Sequence, residues 1–324
     1  MFNKIVKKVK FRVQRFLLHV SLNMLLNIFK LSNMPEIRKY YMIEFDKLVS
    51  SVFNMLQNGT VKIKQLTIKG DNQYFKGEMT VPLDYCLFIS MFYYGCQENE
   101  IQHFVQSKIK KGVKYCVIDI GANVGAFTNQ LHSNFNDFRY VCVEPDKKMF
   151  NYLKINTQNI KDISLFNVAL SDYNGNSEYY YDDENIGNRG LNGSAIKEFC
   201  KGDVGLTDKV EVRNTNDFIR ENIKILKERE IILKIDTQGS DLVILQKIFE
   251  ELGQNLAIIV VELTPSCFSS QDVENVINIL KCYNVYLYKH NQNYYIYDFE
   301  KVDIVQLKHD LFNSKSSFSI YVSK

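Results

Sequence analysis

Several features that would indicate a function class are missing from this sequence. None of its 324 residues is tryptophan, only 4 are proline, and the 7 cysteines include no pair spaced as C-x-x-C. An odd number of cysteines without that spacing argues against a zinc site or a disulfide framework, and fits a reducing compartment such as the cytoplasm. A formal net charge of +3 is too balanced to indicate a nucleic-acid-binding protein.

The N-terminus is basic and then apolar. Lysines and arginines occur from Lys4 to Arg15 without an acid among them, and an apolar run from Phe16 to Phe29 follows, interrupted by polar residues. The run is too short and too polar for a transmembrane span, and it lacks the small-residue cleavage site of a signal peptide. We favour an amphipathic helix that packs on a cytoplasmic protein; the alternative is peripheral contact with the inner membrane face through residues 1–30.

From residue 115 onward, short apolar runs alternate with amphipathic segments, which predicts an α/β fold. The predicted strands are 115–120, 139–144, 163–168, 231–236, 256–262, 285–289, 294–297 and 317–322. The predicted helices among the first five strands and after them are 124–135, 147–157, 216–228, 242–252 and 271–283, and no helix is predicted between the last three strands. This pattern indicates a doubly wound, mostly parallel sheet with an antiparallel strand at its end. Residues 1–80 are interpreted as a basic, mainly helical extension and residues 81–324 as the functional domain.

A turn follows the first of these strands, in the stretch V-I-D-I-G-A-N-V-G-A-F-T. Asp119 nearly ends the strand, Gly121 and Gly125 follow, and Asn123 stands where a dinucleotide-binding turn has its second glycine. The pattern is D-x-G-x-x-x-G, and no G-K-[ST] follows, so neither a pyrophosphate cradle nor a P-loop is indicated. Glu144, at the end of the second strand, suits an acid that accepts hydrogen bonds from ribose hydroxyls. The turn therefore favours an adenosine ligand without a pyrophosphate, and S-adenosylmethionine is the obvious candidate.

The remaining cofactor roles each have a structural alternative. The two glycines would admit the methionine end of the cofactor, or only form a tight turn. Asp119 would pair with the cofactor ammonium or cap the turn, and Asn123 would orient the loop. Asp172 would reach the adenine amino group or fix its own Asx-turn.

Four motifs in order resemble those of the FkbM family of S-adenosylmethionine-dependent methyltransferases. They are the D-x-G-A-N-x-G turn, V-E-P-D at 143–146, N-V-A-L-S-D-Y-N-G at 167–175 and K-I-D-T-Q-G-S-D at 234–241. The resemblance covers about Asp84 to the C-terminus. It implies a class I methyltransferase fold, which is a Rossmann-like sheet of seven mostly parallel strands, and O-methylation of a hydroxyl on a sugar, polyketide or similar metabolite. The sequence departs from the family with Gln238 in place of the usual Glu and Ser240 in place of Ala.

Acids at the later strand ends are candidates for the chemistry. Asp236 would take the proton of the acceptor hydroxyl, or would only anchor Lys234 and the loop after it. Glu262 is a second acid at the same rim and is assigned to the substrate. Together with Asp241, these two acids could also bind a divalent metal, which is a minor option.

The glycine-rich segment 174–208 is too long for a simple connector and is predicted to be a functional loop. Arg189 within it would hold a phosphate or an acidic sugar, although a solvated loop charge is the interpretation we prefer.

The leading hypothesis is an O-methyltransferase that acts on a saccharide, a glycan precursor or a similar small metabolite. A second is a binding or scaffold protein that keeps the fold without catalysis, which the departure at Gln238 favours. A third, a nucleic-acid methyltransferase, is disfavoured because the N/D-P-P-[YFW] motif is missing after the fourth strand, and no nucleic-acid partner is expected. The sequence does not indicate an oligomeric state.

Overall fold

The computed structural model describes residues 65–71, 76–82, 97–182, 187–199, 204–206, 209–226, 229–289, 298–314 and 317–324. Contacts divide the chain into two compact units, residues 1–65 and 66–324. Most of the extension predicted for residues 1–80, and all of the predicted membrane-contacting segment 1–30, lies outside the described residues, so both stay predictions. Among the described helices, none has the length and apolar character needed to cross a bilayer.

The longest buried strands are nearly continuous runs of apolar residues, which is typical of parallel strands covered on both faces. The strands are β1 (Gln65–Asp71), β2 (Lys76–Pro82), β3 (Tyr115–Ile120), β4 (Arg139–Val143), β5 (Ile163–Phe166), β6 (Ala169–Ser171), β7 (Gly175–Ser177), β8 (Tyr180–Asp182), β9 (Arg189–Gly190), β10 (Val204–Leu206), β11 (Val210–Asn214), β12 (Glu230–Ile235), β13 (Leu256–Leu263), β14 (Asn284–Lys289), β15 (Asp298–Val302) and β16 (Phe318–Ser323).

The central sheet has the strand order β15-β14-β16-β13-β12-β3-β4-β5. The five strands from β13 to β5 are parallel, whereas β16 runs antiparallel to both β13 and β14. The α/β, mostly parallel sheet predicted from the sequence is thus confirmed. It has eight strands rather than seven, because β15 adds an antiparallel edge strand to β14. The predicted strand 294–297 lies outside the described residues.

Helices cover both faces of this sheet. The described helices are α1 (Asn99–Lys108), α2 (Ala126–Asn134), α3 (Lys147–Thr157), α4 (Gly193–Phe199), α5 (Thr215–Leu226), α6 (Asp241–Leu252), α7 (Ser270–Leu280) and α8 (Ile304–Asn313); of these, α4 contacts the short strands β8, β9 and β10. Alternate strand residues belong to different cores: Val117 belongs to a cluster that includes residues of α1 and α2, whereas Ile118 belongs to one that includes residues of α5, α6, α7 and α8. Helix α8 corrects the sequence interpretation, which placed no helix between the last strands.

The predicted functional loop contains short elements of its own. Strands β6, β11 and β7 form one three-stranded sheet, and β10, β8 and β9 form another. A separate hairpin of β1 and β2 lies against α2 and α3, where the side chain of Asn156 bonds both backbone groups of Thr80 at 2.7 and 2.8 Å.

The order of the sheet reverses between β3 and β12. The chain proceeds from β3 outward to β4 and β5, and later from β12 outward in the opposite direction to β13. In open α/β sheets, the carboxyl ends of the two strands at such a switch point border a crevice where ligands bind. The turn after β3 and the loop after β12 therefore face the same crevice.

Candidate active site

The glycine turn is shaped by the strands on either side of it. The backbone amides of Gly121 and Ala122 both donate to the carbonyl of Val143 at 3.0 Å. Gly121 has φ +78°, and a Cβ at this position would lie 1.8 Å from the carbonyl oxygen of Asp236. The loop after β12 thus occupies the space that a side chain on Gly121 would need, and only glycine fits.

We expect Gly121→Ala to lower the free energy of unfolding by about 3 kcal/mol or more, because a strained backbone and a clash with another backbone segment add together. Gly112→Ala is the matched control: its φ is +81°, but nothing lies within 4 Å of the added carbon. The control should cost only about 1–2 kcal/mol of conformational strain. Urea denaturation of both variants measures the difference; equal losses would show that the close approach to Asp236 is unimportant.

The second glycine of the turn, Gly125, is required for a different reason. Gly125 precedes α2 with φ +80°, and a Cβ there would lie 2.7 Å from Cδ1 of Leu153 on α3. Its small size therefore allows α3 to pack against the turn. Gly121 lines the cavity described below, whereas Gly125 does not.

Asn123 ties the turn to the end of β4. It is a non-glycine residue with φ +50°, and its backbone amide donates to Oε2 of Glu144 at 2.8 Å. Its side-chain Oδ1 is buried and has no hydrogen-bond partner in the described part of the chain. Asn123 therefore links the turn to the end of β4, and its Oδ1 is a buried acceptor without a partner among the described residues.

Glu144 connects two turns. While Oε2 accepts from Asn123, Oε1 accepts from the backbone amide of Asp146 at 2.8 Å, and the residue is 3% exposed. Burial raises the pKa of Glu144 to about 8, although the two backbone donors oppose that shift. Each carboxylate oxygen keeps a lone pair that can accept another hydrogen bond.

Asp146 and Arg189 form a buried ion pair beside Glu144. Oδ1 of Asp146 caps α3 by accepting from the amides of Lys148 and Met149, and Oδ2 is 2.6 Å from Nη1 of Arg189. The guanidinium also lies over the ring of Tyr181 at 5.1 Å. Arg189 is 9% exposed. The interpretation of this residue as a solvated loop charge is therefore wrong, because β9 holds it in the interior against the cap of α3.

Lys234 is a buried cation between β3 and the crevice. It is the charged residue inside the apolar run of β12, which begins with Glu230, and it pairs in register with Asp119 on β3. Its Nζ lies 3.4 Å from Oδ2 of Asp236 and 3.9 Å from Oε2 of Glu98. Burial lowers the pKa of Lys234, but the carboxylates around it raise the pKa above its usual value. The residue remains an ammonium.

Asp119 lies behind this cation and is fully buried. Its Oδ2 accepts from the hydroxyl of Thr128 at 2.8 Å, and its Oδ1 has no partner among the described residues. Burial raises its pKa, and Lys234 opposes the rise. Asp119 does not line the cavity, and its described side-chain contacts are with Thr128 and Lys234.

Asp236 is held from two sides at the end of β12. Besides Lys234, the side-chain amide of Gln238 donates to its Oδ1 at 2.9 Å, and the same amide donates to Oε2 of Glu262 at 3.0 Å. Burial and the nearby Asp236 raise the pKa of Glu262 well above its usual value. Glu262 lies outside the lining of the cavity described below, whereas Asp236 is part of that lining.

The loop that follows is fixed by Asp241. This fully buried acid accepts from the amides of Thr237 and Gly239 at 2.7 and 2.9 Å. Its oxygens are thus used by the loop. In the part of the chain that the structure describes, no group of three His, Cys, Asp or Glu side chains is arranged to bind a metal ion.

Glu98 is the acid of this crevice that the sequence analysis missed. It precedes α1 with φ +50° and ψ +54°, lines the cavity, and makes no side-chain bond to the start of the helix. Burial raises its pKa to about 7, Lys234 opposes the rise, and Asp236 adds to it. No motif contains Glu98. For Lys234, the sequence did contain a signal, namely a charged residue inside an apolar strand.

The crevice contains a cavity that brings these groups together. It is lined by Gln97, Glu98, Gly121, Ala122, Asn123, Ala126, Phe127, Glu144, Tyr179, Gly187, Arg189, Lys234 and Asp236. Five predicted site residues are therefore in one place. The prediction that Asp172 contacts the cofactor is corrected, because this residue is exposed and lies outside the lining. Its carboxylate accepts from the hydroxyl of Ser171 at 3.3 Å, and the preceding strand β6 belongs to a separate small sheet.

Three solved structures give the scale of similarity to known proteins. They are precorrin-6y C5,15-methyltransferase from Geobacter metallireducens (12% identity, 69% of this chain and 88% of that chain covered, TM-score 0.34), an rRNA methylase from Streptococcus thermophilus (9%, 68% and 92%, 0.35) and a human methyltransferase 10 domain containing protein (11%, 70% and 79%, 0.35). No curated protein matches the sequence.

The family assignment rests on a match of the sequence itself. Residues 119–294 match the family described as Methyltransferase FkbM domain, over more than half of the chain. The matched region begins at Asp119 and includes the glycine turn, Glu144, Arg189 and the loop after β12. The chain therefore belongs to the FkbM family of S-adenosylmethionine-dependent methyltransferases.

Proposed function

We propose that this methyltransferase methylates a hydroxyl group of a saccharide, a glycan precursor or a similar small metabolite. The observation that carries the proposal is Asp236, a carboxylate that lines the cavity and is oriented by Lys234 and Gln238. An alcohol is a weak nucleophile, and a carboxylate within hydrogen-bond reach can accept its proton. The described residues of the cavity lining include no histidine that would supply another base.

The cavity suits S-adenosylmethionine in charge and in hydrogen bonding. Glu144 keeps lone pairs for two ribose hydroxyls, and the buried Oδ1 of Asn123 is an acceptor without a partner. Arg189 is already neutralised by Asp146. The lining acids Glu98 and Asp236 share Lys234 as their cation, so this part of the cavity has an excess of negative charge that favours a cationic ligand.

When bound, S-adenosylmethionine supplies an electrophilic methyl carbon, which leaves its sulfur as a bond to the acceptor oxygen forms. The protein supplies position and a proton acceptor. Asp236 accepts the hydroxyl proton, and Lys234 stabilises its carboxylate beforehand. Gln238 fixes the orientation of that carboxylate by donating to it and to Glu262.

We expect the affinity for S-adenosylmethionine to rise with pH. In the cofactor-free protein, burial raises the pKa of Glu144 to about 8 and that of Glu98 to about 7. Ribose hydroxyls and a cationic ligand both favour the ionised carboxyl groups, so binding should release protons near neutral pH and strengthen as pH rises from about 6 to about 7.5, below the pKa of the ligand's own α-amino group. Calorimetry in two buffers of different ionisation enthalpy measures the proton release; uptake, or an affinity independent of pH, would contradict the expectation.

The same carboxyl groups link pH to the stability of the cofactor-free protein. Their folded pKa values lie above the usual value of 4.5. The folded state therefore binds more protons, and the stability they contribute is present below about pH 4.5 and is lost as pH rises through about 7 and 8.

The acceptor is best identified in cells. Mass spectrometry of glycans and metabolites from cells with and without the protein should reveal a methyl group that depends on it. A methylated hydroxyl that disappears with the protein supports the proposal, and a methylated base or amine would refute it. Calorimetric binding of S-adenosylmethionine without any methylated product would favour the scaffold hypothesis instead.

We propose that the protein is cytoplasmic and that its partner is a small-molecule or glycan acceptor. Peripheral contact through residues 1–30 at the inner membrane face is the alternative, motivated by the basic and apolar N-terminus. Cosedimentation of the full chain with anionic vesicles, at low and high salt, distinguishes the two.

A further inference from the structure

We propose that Glu98 binds the positively charged methionine end of the cofactor, in direct contact with its ammonium group. This inference rests on the proposed use of the cavity for S-adenosylmethionine. It assigns a role to a residue outside every sequence motif of the chain and outside the matched region 119–294.

The first support is the conformation of Glu98. A residue before a helix usually has extended backbone and caps the helix with its side chain. Glu98 has instead the left-handed conformation, with φ +50°, and its side chain makes no cap bond. The carboxylate lines the cavity. A strained residue whose side chain is directed to a cavity, and not to its own helix, is typical of functional sites.

The second support is the charge around it. Lys234 is the cation facing Glu98, Asp236 and the buried Asp119, while Glu100 adds a further negative charge near Glu98. Nζ of Lys234 lies 3.4 Å from Asp236 but 3.9 Å from Glu98, which is beyond hydrogen-bond distance. One more positive charge at this end of the cavity would compensate the excess of negative charge. Burial is the largest cause of the raised pKa of Glu98, and the neighbouring carboxylates raise it further, which agrees with a deficit of positive charge.

The third support is a buried acceptor in the lining of the cavity. Oδ1 of Asn123 has no hydrogen-bond partner among the described residues, and Asn123 lines the cavity. An ammonium group has three donors and no acceptor, so it can donate to Oδ1 of Asn123 as well as to Glu98.

The arrangement also sets the direction of the cofactor. Glu144 and Arg189 form one end of the cavity, joined through Asp146, and Glu98, Lys234 and Asp236 form another group. If ribose hydroxyls bind Glu144, the remaining charged part of the ligand is its methionine end. Asp236 already accepts from Gln238 and Lys234, which leaves Glu98 as the less occupied carboxylate.

The test compares two ligands. S-adenosylmethionine has the methionine group, whereas 5′-methylthioadenosine has the same adenosine and lacks it. Calorimetry of the full chain at pH 7.5 should show that Glu98→Gln weakens S-adenosylmethionine by roughly 10- to 100-fold, the range of a lost charged hydrogen bond, and leaves 5′-methylthioadenosine within about twofold. Glu211→Gln, at an exposed acid of β11 outside the cavity lining, should leave both affinities unchanged.

Wild-type protein provides a second measurement that needs no variant. Binding of S-adenosylmethionine near pH 7 should release more protons than binding of 5′-methylthioadenosine, because only the former has a cation for Glu98. Equal loss of both ligands in Glu98→Gln, no loss of either, or equal proton release in the wild type would overturn the inference. Failure of the wild type to bind S-adenosylmethionine would instead refute the proposed use of the cavity.

Discussion

Replacing Asp236 by asparagine is expected to lower kcat for the acceptor by about 10²- to 10⁴-fold, the usual contribution of a positioned acid or base. Asparagine keeps the size of the side chain and an acceptor oxygen for Gln238, but it cannot take the hydroxyl proton. The dissociation constant for S-adenosylmethionine should change far less than kcat. Single-turnover kinetics with saturating cofactor, together with calorimetric binding, separate the two effects.

The contacts of Asp236 explain why this variant should fold. Lys234 would lose one of several carboxylate neighbours and would keep Glu98 and Asp119 close by. Asp137→Asn is a suitable control, because Asp137 is exposed and precedes β4, at the amino end of the sheet. Full methyl transfer by Asp236→Asn would show that the carboxylate is not the base. An equal loss in both variants would point to a general effect on the protein.

The sequence predicts the framework of this site because strand ends are encoded locally. The residues of β3 follow from a short apolar run, and parallel strands bring Gly121, Glu144 and Asp236 to the same edge of the sheet. Helix α8 also has a local signal, with apolar residues at Ile304, Leu307 and Leu311, but three short strands around it dominated the interpretation.

Other parts of the site depend on contacts between distant segments, which no local pattern encodes. Arg189 looks like a loop charge until β9 places it against Asp146, 43 positions away. Asp172 follows β5 closely in the sequence, yet β6 pairs with β11 and leads it away from the crevice. Glu98 enters the site only because α1 begins beside Lys234.

Gln238 shows how a departure from a family motif acquires a physical meaning. The usual Glu at this position would place a third acid against Asp236 and Glu262. The amide instead donates to both, at 2.9 and 3.0 Å, and has φ +54° in a loop tied down by Asp241. The substitution therefore avoids a third acid beside Asp236 and Glu262 and gives both of them a hydrogen-bond donor. It does not by itself favour loss of catalysis.

Replacing Glu144 by alanine is expected to weaken S-adenosylmethionine by at least about 100-fold, because each ribose hydroxyl loses a charged acceptor worth about 1.5–3 kcal/mol. The variant should also unfold more easily. The amides of Asn123 and Asp146 would both lose their partner, and an unsatisfied buried amide costs about 1–3 kcal/mol. Urea denaturation with and without S-adenosylmethionine measures both effects.

Glu144→Gln separates binding from folding, because its single carbonyl oxygen can satisfy one of the two amides and neither ribose hydroxyl fully. It should recover part of the stability lost in Glu144→Ala while binding stays weak. Glu211→Gln, an exposed acid on β11, serves as the control. If Glu144→Ala lost stability but bound S-adenosylmethionine as tightly as the wild type, Glu144 would be a structural link between the turn after β3 and the start of α3. The ribose would then have to bind elsewhere in the cavity, and the direction inferred for the methionine end beside Glu98 would lose its anchor.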